Sequence, residues 1–231
     1  MAFYRAPRFL PAGDMALVVE LGDEISEEVN RQVHSLAYVL ESASFPGLGE
    51  IVPTYRSLLV HYDPLRLSFN EVKDLVLEAL RRCEEAPPPE PRVVEIPVVY
   101  GGEFGPDIEF VAKHNGLSVE EVIRLHSNAT YTVYMIGFVP GFTYLGGLPK
   151  RLATPRLPTP RTLVPAGSVG IAGEQTGIYP IDIPGGWRLI GRTPLKLFDP
   201  HREPPVLLKP GDKVRFVPIT EEEFHKQAAG G

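Results

Sequence analysis

The sequence predicts two domains of different class: a ferredoxin-like α+β unit over residues 1–86, then a mainly β, barrel-forming unit over residues 92–220. Three observations carry this. Residues 84–91 read Glu-Glu-Ala-Pro-Pro-Pro-Glu-Pro, and consecutive prolines among acids make a stiff extended linker. Upstream, two segments repeat apolar residues at helical spacing between short strand-like runs. Downstream of Tyr100, short apolar runs are cut repeatedly by glycine and proline, the punctuation of a closed or nearly closed barrel.

Met15–Leu21 reads as the first strand. Ser26–Leu40 follows as a helix whose apolar face is Val29, Val33, Leu36, Ala37 and Leu40. Leu48–Thr54 and Ser57–Tyr62 read as two strands with a tight connection. Ser68-Phe69-Asn70-Glu71 is a capping box, and the helix it opens buries Phe69, Val72, Leu75, Val76, Ala79 and Leu80. A strand at Val93–Val99 completes a β-α-β-β-α-β order, the basis of the ferredoxin-like expectation, although that strand is equally suited to the second domain. Two short helices follow at Asp107–His114 and Ser118–His126, the latter with a capping box of Ser118 and Glu121. Strands are then expected at Tyr131–Phe138, Ser168–Ala172, Ile178–Ile183, Trp187–Ile190, Val206–Leu208 and Lys213–Pro218, and the tail beyond Thr220 is expected to fray.

Composition narrows the function. The 231-residue chain is 43% hydrophobic and 23% charged, with a formal net charge of −6. That balance fits an ordinary globular protein and argues against a general nucleic-acid binder, which needs a broad basic face. Cys83 is the single cysteine, so no internal disulfide forms and a reducing compartment suits the chain. Residues 1–11 lack the continuous apolar segment of a secretion signal and no run reaches membrane-spanning length, so no membrane role and a cytoplasmic location are expected.

Against that acidic background, residues 122–196 carry Arg124, Lys150, Arg151, Arg156, Arg161, Arg188, Arg192 and Lys196 and only two acids, Glu174 and Asp182. Guanidinium groups in such excess suit carboxylate or phosphate ligands, whose oxygens they meet two at a time. The same stretch holds the loops Gly137-Phe138-Val139-Pro140-Gly141-Phe142 and Ile183-Pro184-Gly185-Gly186-Trp187. Glycine reaches φ > 0 and proline locks φ, so the rings between them are held in set directions. Arg156, Arg161, Arg188 and Arg192 are therefore the candidate anion clamp, and Phe138, Phe142, Tyr144 and Trp187 the candidate walls, the alternative for each ring being the barrel core. His126 is the candidate for proton transfer, set against a histidine that merely complements a helix C-terminus. The turn Gly101–Asp107 is able to bind an anion at a helix N-terminus, or is a tight turn capped by Asp107. The six histidines lack close pairing, so no metal site is expected, and the sequence has neither a phosphate-binding Gly-x-x-x-x-Gly-Lys-Ser/Thr loop nor a Gly-x-Ser-x-Gly elbow.

Three long motifs resemble one family. Residues 131–145 (YTVYMIGFVPGFTYL), residues 160–173 (PRTLVPAGSVGIAG) and Pro184-Gly185-Gly186-Trp187 are similar to the KipI family, also called PxpB after its place in 5-oxoprolinase and, in older usage, allophanate hydrolase subunit 1. The resemblance covers nearly the whole chain. It implies a cyclophilin-like barrel after the small α+β domain. It also implies a KipA/PxpC-type subunit and a PxpA-type protein as partners, the complex converting 5-oxoproline to L-glutamate with ATP at a location the sequence does not give. The small carboxylate substrate, not a tightly bound cofactor, is what the arginines would meet. A second implication, from a family member that inhibits a sensor histidine kinase, is a regulatory protein with no activity of its own.

Overall fold

The structure is a computed structural model; it describes residues 3–85 and 90–230. The chain divides into two compact units, Met1–Glu90 and Pro91–Gly231. The proline run on which the linker expectation rests, residues 86–89, lies outside the described residues.

The first unit contains β1 (Phe3–Pro11), β2 (Ala16–Gly22), α1 (Glu27–Ala43), β3 (Leu48–Pro53), β4 (Ser57–Tyr62) and α2 (Phe69–Glu85). Its antiparallel sheet runs β1-β2-β4-β3. Alternate residues of the two central strands, Leu17, Val19 and Leu21 with Leu58, Val60 and Tyr62, point to one face and meet Val29, Val33, Leu36 and Leu40 of α1 and Val72, Val76 and Ala79 of α2. Strand period 2 and helix period 3.6 thus converge on one core. The capping box expected at Ser68 forms, Glu71 Oε2 accepting from Ser68 N at 2.7 Å, and α1 is capped by Ser26, whose Oγ accepts from Val29 N at 3.2 Å.

One expectation is corrected. The strand at Val93–Tyr100 does not join this sheet; the place beside β2 is taken by β1, which its own sequence pattern does not mark as a strand. Its Arg and Pro residues break the alternation because, as an edge strand, it buries little on either face.

The second unit is built on a closed seven-stranded barrel with order β10-β7-β6-β13-β5-β12-β9. Its strands are β5 (Val93–Tyr100), β6 (Thr130–Ile136), β7 (Thr143–Gly146), β9 (Ser168–Ala172), β10 (Gln175–Ile178), β12 (Arg188–Arg192) and β13 (Lys213–Pro218); β8 (Arg161–Val164) and β11 (Ile183–Gly185) form a separate two-stranded sheet. Helices α3 (Ile108–Asn115) and α4 (Val119–Asn128) contribute Ile108, Val111 and Val122 to the core made by Ile96, Val98, Val133, Ile171, Ile190 and Val214. β5 and β13 are the first and last strands of the barrel and lie side by side in parallel, Val93 beside Lys213 through Val98 beside Pro218.

Here too the structure amends the reading. Ile178–Ile183 is not one strand: pairing spans 175–178, and the chain re-enters a sheet only at 183. Val206 makes an isolated bridge to Phe198 instead of a strand. The tail is not frayed but forms α5 (Glu221–Gly230), where Phe224 packs on Phe104 at 4.8 Å. A Thr220–Glu223 capping box starts it, Glu223 Oε2 accepting from Thr220 N at 2.8 Å.

Candidate functional site

The Gly137–Phe142 loop between β6 and β7 is two tight turns in succession. Val139 N donates to Gly137 O at 2.8 Å across Phe138, whose φ is +67°, which is the geometry of a γ-turn in its rarer, strained form. Phe142 N then donates to Val139 O at 3.1 Å, with Pro140 and Gly141 (φ +81°) at the centre as a turn with positive φ at its third residue requires. Gly137 N donates to Phe142 O at 3.2 Å and ties the loop base. A side chain at Gly141 would also meet Phe198 Cβ at 2.9 Å.

The loop delivers Phe142, 1% exposed, into a ring cluster. Its ring meets Tyr144 at 4.8 Å, Tyr179 at 5.1 Å, Trp187 at 5.5 Å and Phe138 at 5.6 Å, all edge-to-face, the arrangement aromatic quadrupoles favour. Trp187 lies over Gly177, where a Cβ would sit 3.0 Å from Trp187 Cζ3. Phe142 and Trp187 are thus buried supports, while Tyr144 is half-buried and Phe138 is 62% exposed. Burial raises the Tyr144 phenol above its usual range, and the Arg156 charge opposes that.

The four candidate arginines fare differently. Arg161 Nη2 donates to Asp107 Oδ1 at 2.9 Å, and Arg188 Nη1 lies 3.9 Å from the same oxygen. Arg188 also donates from Nε to Pro155 O at 3.3 Å and stacks 3.6 Å over Phe110. Arg192 Nε donates to Ala166 O at 2.8 Å. These three brace the loops. Arg156 is exposed, 5.9 Å over Trp187, and among the described residues its guanidinium makes no hydrogen bond or ion pair. Of the four candidate arginines it is the one whose charge no partner among the described residues takes up.

Asp107 does not cap α3: it makes no side-chain bond to that helix, and its Oδ2 accepts instead from Leu189 N at 2.7 Å. One carboxylate therefore fixes the Trp187 loop, β8 and the start of α3 together. Nor is the Gly101–Asp107 turn an open anion cradle, since Gly105 N donates to Gly101 O and Asp107 N to Leu189 O, both at 2.8 Å.

His126 sits elsewhere, inside the barrel with no exposed surface. Thr176 Oγ1 donates to Gly170 O at 3.0 Å, so it accepts from His126 Nε2–H at 3.0 Å, and Nδ1 accepts from Tyr100 Oη at 2.8 Å. The ring stacks on Phe216 at 4.4 Å, and burial lowers its pKa to about 3. The imidazole is neutral, with both nitrogens engaged; the structure does not bring it together with the arginines. Tyr179 is the site residue that the sequence does not mark, and Asp107, expected as a helix cap, is instead the brace of the loops.

A closed barrel carrying a cationic, aromatic-walled loop cluster places the chain in a known class: residues 7–208 match the carboxyltransferase domain family, subdomain C and D. The B-type subunit of 5-oxoprolinase from Bacillus subtilis strain 168 is 53% identical over 223 residues, covering 92% of this chain and 93% of that protein. Its counterpart of the same name in Escherichia coli O157:H7 is 47% identical, covering 90% and 94%. The chain belongs to this family of 5-oxoprolinase B-type subunits. Among solved structures, TTHA0988 superposes with a TM-score of 0.78 at 44% identity over 89% of this chain, which spans 40% of that longer protein.

Proposed function

We propose that this chain is the PxpB component of an ATP-dependent 5-oxoprolinase, acting with a KipA/PxpC-type subunit and a PxpA-type protein to convert 5-oxoproline to L-glutamate. The observation that carries the reading is the match, nearly end to end in both chains, to relatives bearing that enzyme's name. The loop cluster supports it chemically. 5-Oxoproline offers one carboxylate and a flat, unreactive ring amide. Arg156 supplies a free fork for the carboxylate, and the half-buried Tyr144, backed by the buried Trp187, supplies a wall for the ring. ATP is a substrate of the complex, activating the amide oxygen before water opens the C–N bond; this chain's part is to bind and orient. His126, neutral and enclosed, supports the wall from within the barrel. The named relatives do not favour the kinase-inhibitor alternative.

The same reading takes the units as separate domains of a cytoplasmic protein, joined near residues 86–92. The first is ferredoxin-like, with β1 standing where that arrangement places its last strand, and the second is cyclophilin-like. Support comes from the β2-β4-β3 order under two helices and from barrel closure.

The test is 5-oxoproline-dependent ATP hydrolysis by the purified chain, by the partners, and by all three together. Turnover is expected only from the complete set. Full turnover by the partners without this chain would overturn the assignment.

A further inference from the structure

Phe138 carries two local costs at once. Its φ of +67° belongs to a region that a bulky side chain disfavours, and its ring is 62% exposed to water. Glycine would relieve the strain and remove the exposed ring, and glycines stand at 137 and 141 in the same loop, so the aromatic at the apex is specified against the preference of its own backbone. No fold requirement accounts for it: Phe142, not Phe138, fills the core cluster, and among the described residues the ring contact of Phe138 with that cluster is edge-on at 5.6 Å. The loop beneath is tied by three backbone hydrogen bonds, so the ring is presented in a fixed direction and little ordering remains to be done when it is covered.

We infer that Phe138 is the anchor by which this chain docks its KipA/PxpC-type partner, inserting into an apolar socket on that protein, and that docking closes the partner over Trp187 and Arg156. The inference rests on the 5-oxoprolinase reading. A protein is the occupant, rather than the small carboxylate, for two reasons. A ring this exposed at a turn apex offers a small ligand no enclosing wall, whereas aromatic side chains projecting into pockets dominate protein–protein contacts. And relatives place this unit within longer proteins, as in TTHA0988, of which it spans only 40%, so further protein is available to cover it. Successive contacts, Phe138 on Phe142, Phe142 on Trp187 and Arg156 over Trp187, put the free guanidinium at the other end of the same row. A partner seated on Phe138 would then exclude water from the place where the substrate carboxylate binds.

The experiment titrates the KipA/PxpC-type protein into the full chain carrying Phe138→Gly, Phe138→Tyr or no change, reading binding by calorimetry, the partner concentration giving half-maximal 5-oxoproline-dependent ATP hydrolysis, and Tm of the chain alone. Phe138→Gly is expected to weaken association at least about tenfold while Tm holds or rises, because strain is released; saturating partner restores turnover with an unchanged KM, and Phe138→Tyr keeps the affinity. Association unaffected by Phe138→Gly overturns the inference, as does a fall in Tm, which would make the ring part of the fold. A raised KM at saturating partner with unaltered association also overturns it, making the ring a wall for substrate. If the unsubstituted chain fails to bind the partner or support turnover, the function proposed above falls and this docking site with it.

Discussion

Acidification should destabilise the barrel unit through one residue, His126. Its imidazole is enclosed by Tyr100, Thr176, Tyr131 and Phe216, and its pKa is lowered from 6.5 to about 3 by burial. The titratable groups facing it, Tyr100 and Tyr131, have phenol pKa values raised by burial and stay neutral. Between pH 6.5 and 3 the unfolded chain binds a proton on this histidine and the folded chain does not, so stability falls as pH falls. The contribution is complete above pH 6.5 and declines by about 1.4 kcal/mol per pH unit below it, or about 2 kcal/mol by pH 5. Trp187 is the single tryptophan and lies in this unit, so its fluorescence during urea unfolding follows the barrel selectively. The comparison is with His126→Gln, which does not titrate. That variant should be about 1–3 kcal/mol less stable at pH 7.5, because the hydroxyls of Tyr100 and Thr176 lose well-formed partners. The gap should close as pH drops, by the slope given above. Parallel curves for the two proteins from pH 7.5 to 5 would show that His126 protonates freely in the folded state, and the enclosed network around it would be wrong.

Arg156→Ala should raise KM for 5-oxoproline in the reconstituted complex by roughly ten- to a hundredfold, the loss of about 1.5–3 kcal/mol from a hydrogen bond to a charged group, with Tm unchanged; Arg156→Lys should recover part of it. An unaltered KM would remove Arg156 from the site. Asp107→Ala should cost the barrel unit about 2–4 kcal/mol in urea unfolding, since it strands Arg188 and the Leu189 amide, though Arg161 is solvated enough to soften the loss. Stability within 0.5 kcal/mol or so of the unsubstituted chain would contradict the bracing role. Arg161→Ala, for the same reason, should lower stability more than it changes KM, a result that equal KM and stability effects for Arg161 and Arg156 would refute.

What the sequence made legible was whatever is local. The helix faces of α1 and α2 and the boxes at Ser68 and Ser118 were readable because periodicity and capping act over a few residues. The loop around Phe138 was legible as rigid for the same reason. What escaped depends on distant partners. β1 is defined by β2 and by its edge position rather than by its own pattern. β7 and β8, each of 4 residues, are too short for alternation to register. Asp107 looked like a helix cap because its true partners, Arg161 and Leu189, are 54 and 82 positions away. His126, at a helix end before the loop, gave no sign in its neighbours that a barrel would close around it.

The parallel pairing of β5 with β13 has a consequence for how the protein is made. The barrel's first strand leaves the ribosome with the rest of the unit still to be synthesised, and one of its two neighbours is the last barrel strand to emerge. Until then β5 has an open edge and β6 lacks its β13 partner, so Ile96, Tyr131 and Val133 stay unsealed. The first unit, whose sheet contacts are all encoded before residue 63, faces no such delay and can fold while the second is being translated. Translation order therefore imposes a late, all-or-none closure on the unit that carries the site, with the long loop to be closed making it the slow step. A chain cut short before Lys213 would display that open edge permanently, and would be expected to aggregate instead of remaining as a smaller active fragment.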